Sequence, residues 1–232
     1  MSSGYKFETR SQLVEATDRW RYDDWFVEFT LPIVGTDEDY TYATEIYGDI
    51  NTWDVSAITD FSGVFANHII FDSNISNWDV SNGTNFSKMF DSAHRFDKDI
   101  GNWDVSNGTN FKDMFRSATL FNQDIGDWDV SSGRDFAGMF LASSSFNQDI
   151  SNWDMSSNED FGYMLSAATN FNQDISSWYV DEEDNLTGMF TSATLMLENH
   201  GVSWTPSIEY FNGSVLNAVS YTHLTLPTIR TV

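Results

Sequence analysis

Apolar residues return along most of this chain in a fixed order, at an interval of 25 positions. Trp53, Trp78, Trp103, Trp128, Trp153 and Trp178 keep that interval, and a seventh, Trp204, follows after 26. Ile50, Ile75, Ile100, Ile125, Ile150 and Ile175 stand three residues before each Trp, and Val55, Val80, Val105, Val130, Met155 and Val180 two after it. Phe71, Phe96, Phe121, Phe146 and Phe171 open successive units. Phe61, Phe86, Phe111, Phe136 and Phe161 follow the same register, as do the pairs Met89-Phe90, Met114-Phe115 and Met139-Phe140. The residues between these columns are mostly polar.

A period in the twenties predicts a solenoid, because a unit this small cannot bury its own apolar face and must share one core with its neighbours. Within a unit, Trp78 and Val80 alternate as in a short strand. Phe86, Met89 and Phe90 stand at i, i+3 and i+4, as on one face of a short helix over Thr84–Ser92. The expected fold is an α/β solenoid: a right-handed, leucine-rich-repeat-like array of about six units. Each unit would supply one short parallel strand and one short helix, and an N-terminal helical cap would cover the first. Stacked strands would make a rod of roughly 25–30 Å.

Four segments follow from this register. Residues 1–45 form the N-terminal cap region, 46–195 the six-unit array, 196–218 a closing segment, and 219–232 a non-native tail. In the cap, Thr9-x-x-Gln12 has the spacing of a capping box. Leu13, Ala16, Thr17 and Trp20 then share one helical face. Phe26–Leu31 reads as strand-like and is followed by Pro32 and the acidic Asp37-Glu38-Asp39. In the closing segment, Thr205-Pro206 predicts a final helix with Pro at its first position.

The unit FNQDIGDWDVSSGRDFAGMF (Phe121–Phe140) resembles the BspA-type leucine-rich-repeat surface proteins, whose tandem units read approximately FNQDISNWDVSNVTNMSGMF. The resemblance covers residues 46–217. It implies surface display and a binding or adhesion role, with no catalytic activity attached. The chain departs from it where that family has Val and then Met: here stand Gly83/Phe86, Gly108/Phe111 and Gly133/Phe136. A lost Val side chain and an enlarged aromatic roughly conserve core volume. The tail Val219–Val232 (VSYTHLTLPTIRTV) has no acidic residue and no repeat register, and resembles a translated sequencing adapter.

Charge narrows the choice of partners. Eleven Lys and Arg stand against 35 Asp and Glu, a net of −24. Nucleic acid is excluded, because phosphate binding needs clustered cations, and an anionic membrane surface is disfavoured. No apolar stretch near the start suits a signal peptide or a membrane span, so membrane insertion is not expected. The resemblance alone suggests the cell surface. The chain has no Cys, which removes disulfides and thiolate chemistry. At 16% aromatic it is too apolar for a disordered acidic tail.

The sharpest candidate site is the column Asp54, Asp79, Asp104, Asp129 and Asp154, each between an inward Trp and an inward Val or Met. Two readings stand beside each other. The column could bind Ca²⁺ or a basic partner; or each Asp could accept hydrogen bonds from the backbone of the turn that follows it. A second column, Asn122-Gln123-Asp124 and its copies at 147–149 and 172–174, suits a stacked amide ladder. The Trp column belongs to the core rather than to a sugar-stacking platform. The histidines His68, His94, His200 and His223 occupy unrelated positions, and no hydrolase, phosphate-loop, dinucleotide or zinc-protease motif occurs. No enzyme activity and no resident cofactor or metal are expected.

The functional expectation is a non-catalytic binding or adhesion module that presents a rigid acidic surface to a protein or cell-surface ligand. The alternatives are a structural surface spacer without a specific ligand, and a Ca²⁺-stabilised structural module. A specific binder should carry departures from the repeat that gather on one patch. The candidates are His94-Arg95, Arg116 and Tyr163.

Overall fold

A computed structural model describes residues 4–28 and 43–211. Helix is confined to the two ends: α1 (Arg10–Glu28), α2 (Ala43–Tyr47), a single 3₁₀ turn over Ile50–Thr52, α3 (Thr194–Asn199) and α4 (Ile208–Phe211). The expected capping box is present at the start of α1. Gln12 Oε1 accepts from the amides of Glu8 and Thr9 at 2.9 and 3.1 Å, and Thr9 Oγ1 accepts from Gln12 N at 3.3 Å. Leu13, Ala16, Thr17 and Trp20 are all buried.

The array between the ends is not the expected α/β solenoid. Among the described residues there is no strand and no sheet, and no unit contains its own helix in the stretch corresponding to Thr84–Ser92. Successive units meet at one isolated parallel bridge each, along Asp60, Asn85, Asn110, Asp135, Asp160 and Asn185. Elsewhere they are built from consecutive turns.

The hydrogen bonds explain why. In the second unit the amides of Met89, Asp91 and Ala93 each bond to the carbonyl three residues back (Phe86, Lys88 and Phe90), at 3.0–3.1 Å. The amides between them point along the stack instead. Phe86, Lys88, Phe90 and Ser92 donate to the carbonyls of Asn110, Lys112, Met114 and Arg116 in the next unit, at 2.7–2.8 Å. A helix would turn every amide inward along its own axis; here every second one is spent on a neighbour.

Backbone dihedrals enforce that alternation. Two positions per unit have positive φ, four residues apart. The first holds Gly63, Lys88, Asp113, Gly138, Tyr163 and Gly188, and the second Asn67, Ser92, Ser117, Ala142, Ala167 and Ser192. A positive φ at the third residue of a four-residue turn is what a type II turn requires, and it stops a right-handed helix. The expected strand fails for a related reason. Trp78 N bonds to Ile75 O at 3.1 Å and Gly83 N to Val80 O at 2.7 Å, so turns close in on both sides of the two-residue extended step.

The periodic apolar columns form one continuous core. The six Trp of the array are 1–4% exposed, and the Ile, Phe and Met columns are almost wholly buried. The aromatic rings stack from unit to unit. Phe61, Phe86, Phe111 and Phe136 make one pile with centroids 5.0–5.5 Å apart, and Phe71, Phe96, Phe121, Phe146 and Phe171 another at 5.6–6.1 Å. From the second unit on, each buried indole of the array also finds a partner across the interface, whereas Trp53 donates to Gly48 O in its own unit. Trp103, Trp128, Trp153 and Trp178 donate to the carbonyls of Ile75, Ile100, Ile125 and Ile150 in the preceding unit.

The substituted Gly positions fit the volume exchange. A Cβ on Gly108 would fall well inside van der Waals contact of Phe111 Cζ and 2.9 Å from the carbonyl oxygen of Val105. In the fifth unit Asn158 takes the Gly position, and the ring of Phe161 packs on Trp178 and Phe211.

Three local expectations need correction. Phe26 to Glu28, expected to begin a strand, lie in α1, and the remainder of that stretch lies outside the described residues. The final helix starts at Ile208, not at Thr205-Pro206. Trp204 does not continue the Trp column: it is 66% exposed. The tail 219–232, with His223, also lies outside the described residues.

Candidate binding surface

The Asp column is a row of turn acceptors. Asp54 Oδ1 accepts from Ser56 N at 3.1 Å and Ser56 Oγ at 2.6 Å. Asp79, Asp104 and Asp129 repeat the pair with Ser81, Ser106 and Ser131. Asp154 accepts from Ser156 N at 3.0 Å. These bonds favour the ionised carboxylate, and the serine hydroxyl and then its amide hold Asp54, Asp104 and Asp154 below the usual Asp range. The same motif recurs at two further positions per unit. Asp49, Asn74, Asp99, Asp124, Asp149 and Asp174 accept from the amide two residues on. So do Asp60, Asn85, Asn110, Asp135, Asp160 and Asn185. Much of the negative charge is therefore built into the bends of the backbone.

The amide column forms an inter-unit ladder. Asn122 N, Asn147 N and Asn172 N donate to Oδ1 of Asp97, Asn122 and Asn147 at 2.8–2.9 Å. Gln123, Gln148 and Gln173 reach the carbonyls of those same residues. Where Lys98 replaces Gln, its ammonium meets Asp72 at 2.5 Å.

The candidate departures His94-Arg95, Arg116 and Tyr163 fall within one run of the unit, while others, such as the exposed Tyr179, lie outside it. Tyr163 stands at the left-handed position that Gly138 and Gly188 occupy in neighbouring units. Its ring lies against the backbone of Gly188, where a Cβ would be 2.5 Å from Tyr163 Cε1. Lys88 and Asp113 share that position. Asp113 is half-buried, which raises its pKa, while Arg116, Lys88 and Lys112 around it pull the other way. Lys88, Lys112 and Arg116 are exposed. His94 and Arg95 occupy the next turn of the same run, closed by Phe96 N to Ala93 O at 3.1 Å. The exposed Ile69 and Leu120 flank them: Arg95 N bonds to Ile69 O, and Leu120 N to His94 O. Lys88 and Lys112 escaped the sequence reading. A count of charge per unit would have shown them, because residues 71–95 and 96–120 each come to a net of −1, whereas 146–170 reach −4 and 171–195 reach −5.

Among the described residues no three His, Asp or Glu side chains gather to hold a metal ion. His68 is buried beside Asp18 of α1, with Nε2 3.4 Å from Asp18 Oδ1, and His200 ends α3. No helix among the described residues is long and apolar enough to cross a membrane.

The chain matches the family described as "Mycoplasma protein of unknown function, DUF285" over residues 37–143 and again over 123–220. The chain belongs to that family. DUF285 corresponds in general to the BspA-like repeat family, and its two tandem matches agree with the internal repetition. No curated protein and no solved structure matches the chain.

Proposed function

We propose that this DUF285 chain is a non-catalytic binding module of the BspA-type surface kind, and that its recognition face is the turn-built side running from the Phe86 position to the Phe96 position of each unit. One observation carries this reading. The bends hold Asp or Asn in nearly every unit, because the turns use their side chains, and the amide ladder repeats in the last three units, where stacking uses its side chains. The exposed positions on the turn side change from unit to unit, with Lys88, Lys112, Arg116 and Tyr163 projecting there. A rigid stack would engage its partner through several such contacts at once. A spacer has no use for a local concentration of cations in so acidic a chain.

The test is retention of a surface partner on the immobilised full chain, with salt and calcium varied. It is compared with the triple variant Lys88→Gly, Lys112→Ala, Arg116→Ser. Each replacement is a residue that another unit already carries at the same position (Gly138, Ala137 and Ser166). Saturable retention that the triple variant loses supports the reading. Equal saturable retention by both chains would place recognition on another surface, and none under any condition favours the spacer.

A further inference from the structure

Along the turn run from the Phe86 to the Ser92 position the stack has a hydrogen-bond polarity, and in that row its two ends are opposite in kind, while Thr84 N and Arg95 N donate the other way, to Thr59 O and Ile69 O. Inside the array, amides at the positions of Phe86, Lys88, Phe90 and Ser92 donate forward to carbonyls at the positions of Asn110, Lys112, Met114 and Arg116. The first unit therefore begins with carbonyls that have no preceding unit to serve them, among them Ser62 O and Val64 O. The last unit ends with amides that have no following unit, among them Gly188 N and Phe190 N.

Each cap supplies the missing chemistry. At the first end, α1 brings donors: Arg10 Nε reaches Ser62 O at 2.9 Å, with Arg10 Nη2 also on that oxygen, and Thr17 Oγ1 reaches Val64 O at 2.9 Å. At the last end, the closing segment brings acceptors: Phe190 N donates to Trp204 O at 2.9 Å and Gly188 N to Thr205 Oγ1 at 2.8 Å. Side chains and one loop carbonyl thus stand in for the rows of a neighbouring unit.

We propose that the two ends of the stack are complementary docking edges for a second copy of this chain, each closed in the free chain by its own cap. The occupant follows from the match of rows. Ser62 O and Val64 O are the counterparts of Lys112 O and Met114 O, and Gly188 N and Phe190 N are the counterparts of Lys88 N and Phe90 N. The last unit of one copy can therefore continue onto the first unit of another with the bonds the array already uses. Such a contact is head-to-tail and does not close on itself. Both end units are acidic: residues 46–70 carry a net of −3 and residues 171–195 a net of −5. Salt should therefore strengthen the association by screening their repulsion, the reverse of a contact held by ion pairs.

The experiment uses two full-length variants. Leu13→Asp with Thr17→Asp opens the first end, placing carboxylates where α1 meets the carbonyl row. Phe211→Asp with Thr205→Val opens the last end, removing the buried anchor of the closing segment and one acceptor. Sedimentation velocity is followed at low and high salt, with near-ultraviolet circular dichroism of the Trp column reporting that the array is folded. Each variant alone should sediment as a single chain, and their mixture should form a one-to-one complex that grows with salt. A folded mixture that stays dissociated overturns the proposal. So does self-association of either variant alone to the same extent as the mixture. If the aspartates melt the array, the milder pairs Leu13→Ala with Thr17→Val and Phe211→Ala with Thr205→Val replace them, loosening the buried anchors of each cap, and no association of that mixture at high salt overturns it equally.

Discussion

The indole nitrogen of Trp78 donates to the carbonyl oxygen of Ile50, 2.8 Å away and 28 residues earlier in the chain. The same bond ties each later unit of the array to the one before it, so Trp serves here both as core volume and as a cross-unit tether. Replacing Trp128 by Phe leaves Ile100 O with the Trp103 amide as its remaining donor and a gap where the second ring stood. The expected loss is about 0.5–1.5 kcal/mol for the missing hydrogen bond, with a further cavity cost. Denaturant unfolding checks it; a variant within about 0.5 kcal/mol of the parent would show that packing alone sets this position.

Gly108 and Phe111 compete for one volume. Gly108→Val should destabilise by about 1–3 kcal/mol through overcrowding, since the new side chain meets Phe111 and the Val105 carbonyl. Adding Phe111→Met should restore much of the loss. A double-mutant cycle reads the coupling directly; additive losses from the two substitutions would contradict the exchange.

Ala142 has φ of 60°, in the region where a Cβ is penalised, and no polar group to lose. Ala142→Gly should therefore stabilise by up to about 1 kcal/mol. Measured chemical denaturation midpoints decide it, and a lowered midpoint would mean that the extra freedom of glycine in the unfolded chain outweighs the relief.

Stability should pass through a maximum below neutral pH. Asp54, Asp104, Asp149, Asp154 and Asp174 are held below their usual range by hydrogen bonds from the serine that follows. Their contribution is complete above the ordinary Asp value of about 3.9 and is lost as pH falls through their lower folded values. Asp113 and Asp184 are raised by burial and act with the opposite sign, favouring the fold as they take up protons. Protonation also relieves repulsion in a chain of net charge −24. The melting temperature should rise as pH falls toward the raised values of Asp113 and Asp184 and should fall once pH drops below the ordinary Asp value of about 3.9. Asp113→Asn should flatten the rise; a steady decline from neutrality would show that the buried carboxylates do not govern it.

The period, the core columns, the cap helix and its capping box were all legible in the sequence, because burial and capping leave residue types at fixed spacings. The local backbone was not. Phe86, Met89 and Phe90 mimic a helical face, since two consecutive turns return side chains to the core at the same spacing as one helical turn. What separates the two is the sign of φ at Lys88 and Ser92. Lys88, Asp113 and Tyr163 hide that sign, while Gly63, Gly138 and Gly188 in the same column were the clue to it. The candidate surface was half legible: Arg116 and Tyr163 stand out as departures, but their common side of the stack depends on how the turns are folded.

Asn85 and Asp60 make the same bend with the same kind of bond, Oδ1 accepting from the amide two residues on, yet only Asp60 brings a charge. The geometry of the turn is therefore indifferent to ionisation, and the preference for Asp at so many corners answers a different need. Every unit that lengthens the stack carries its own share of colloidal repulsion, so a longer stack gains flank surface without becoming more prone to precipitate against its neighbours.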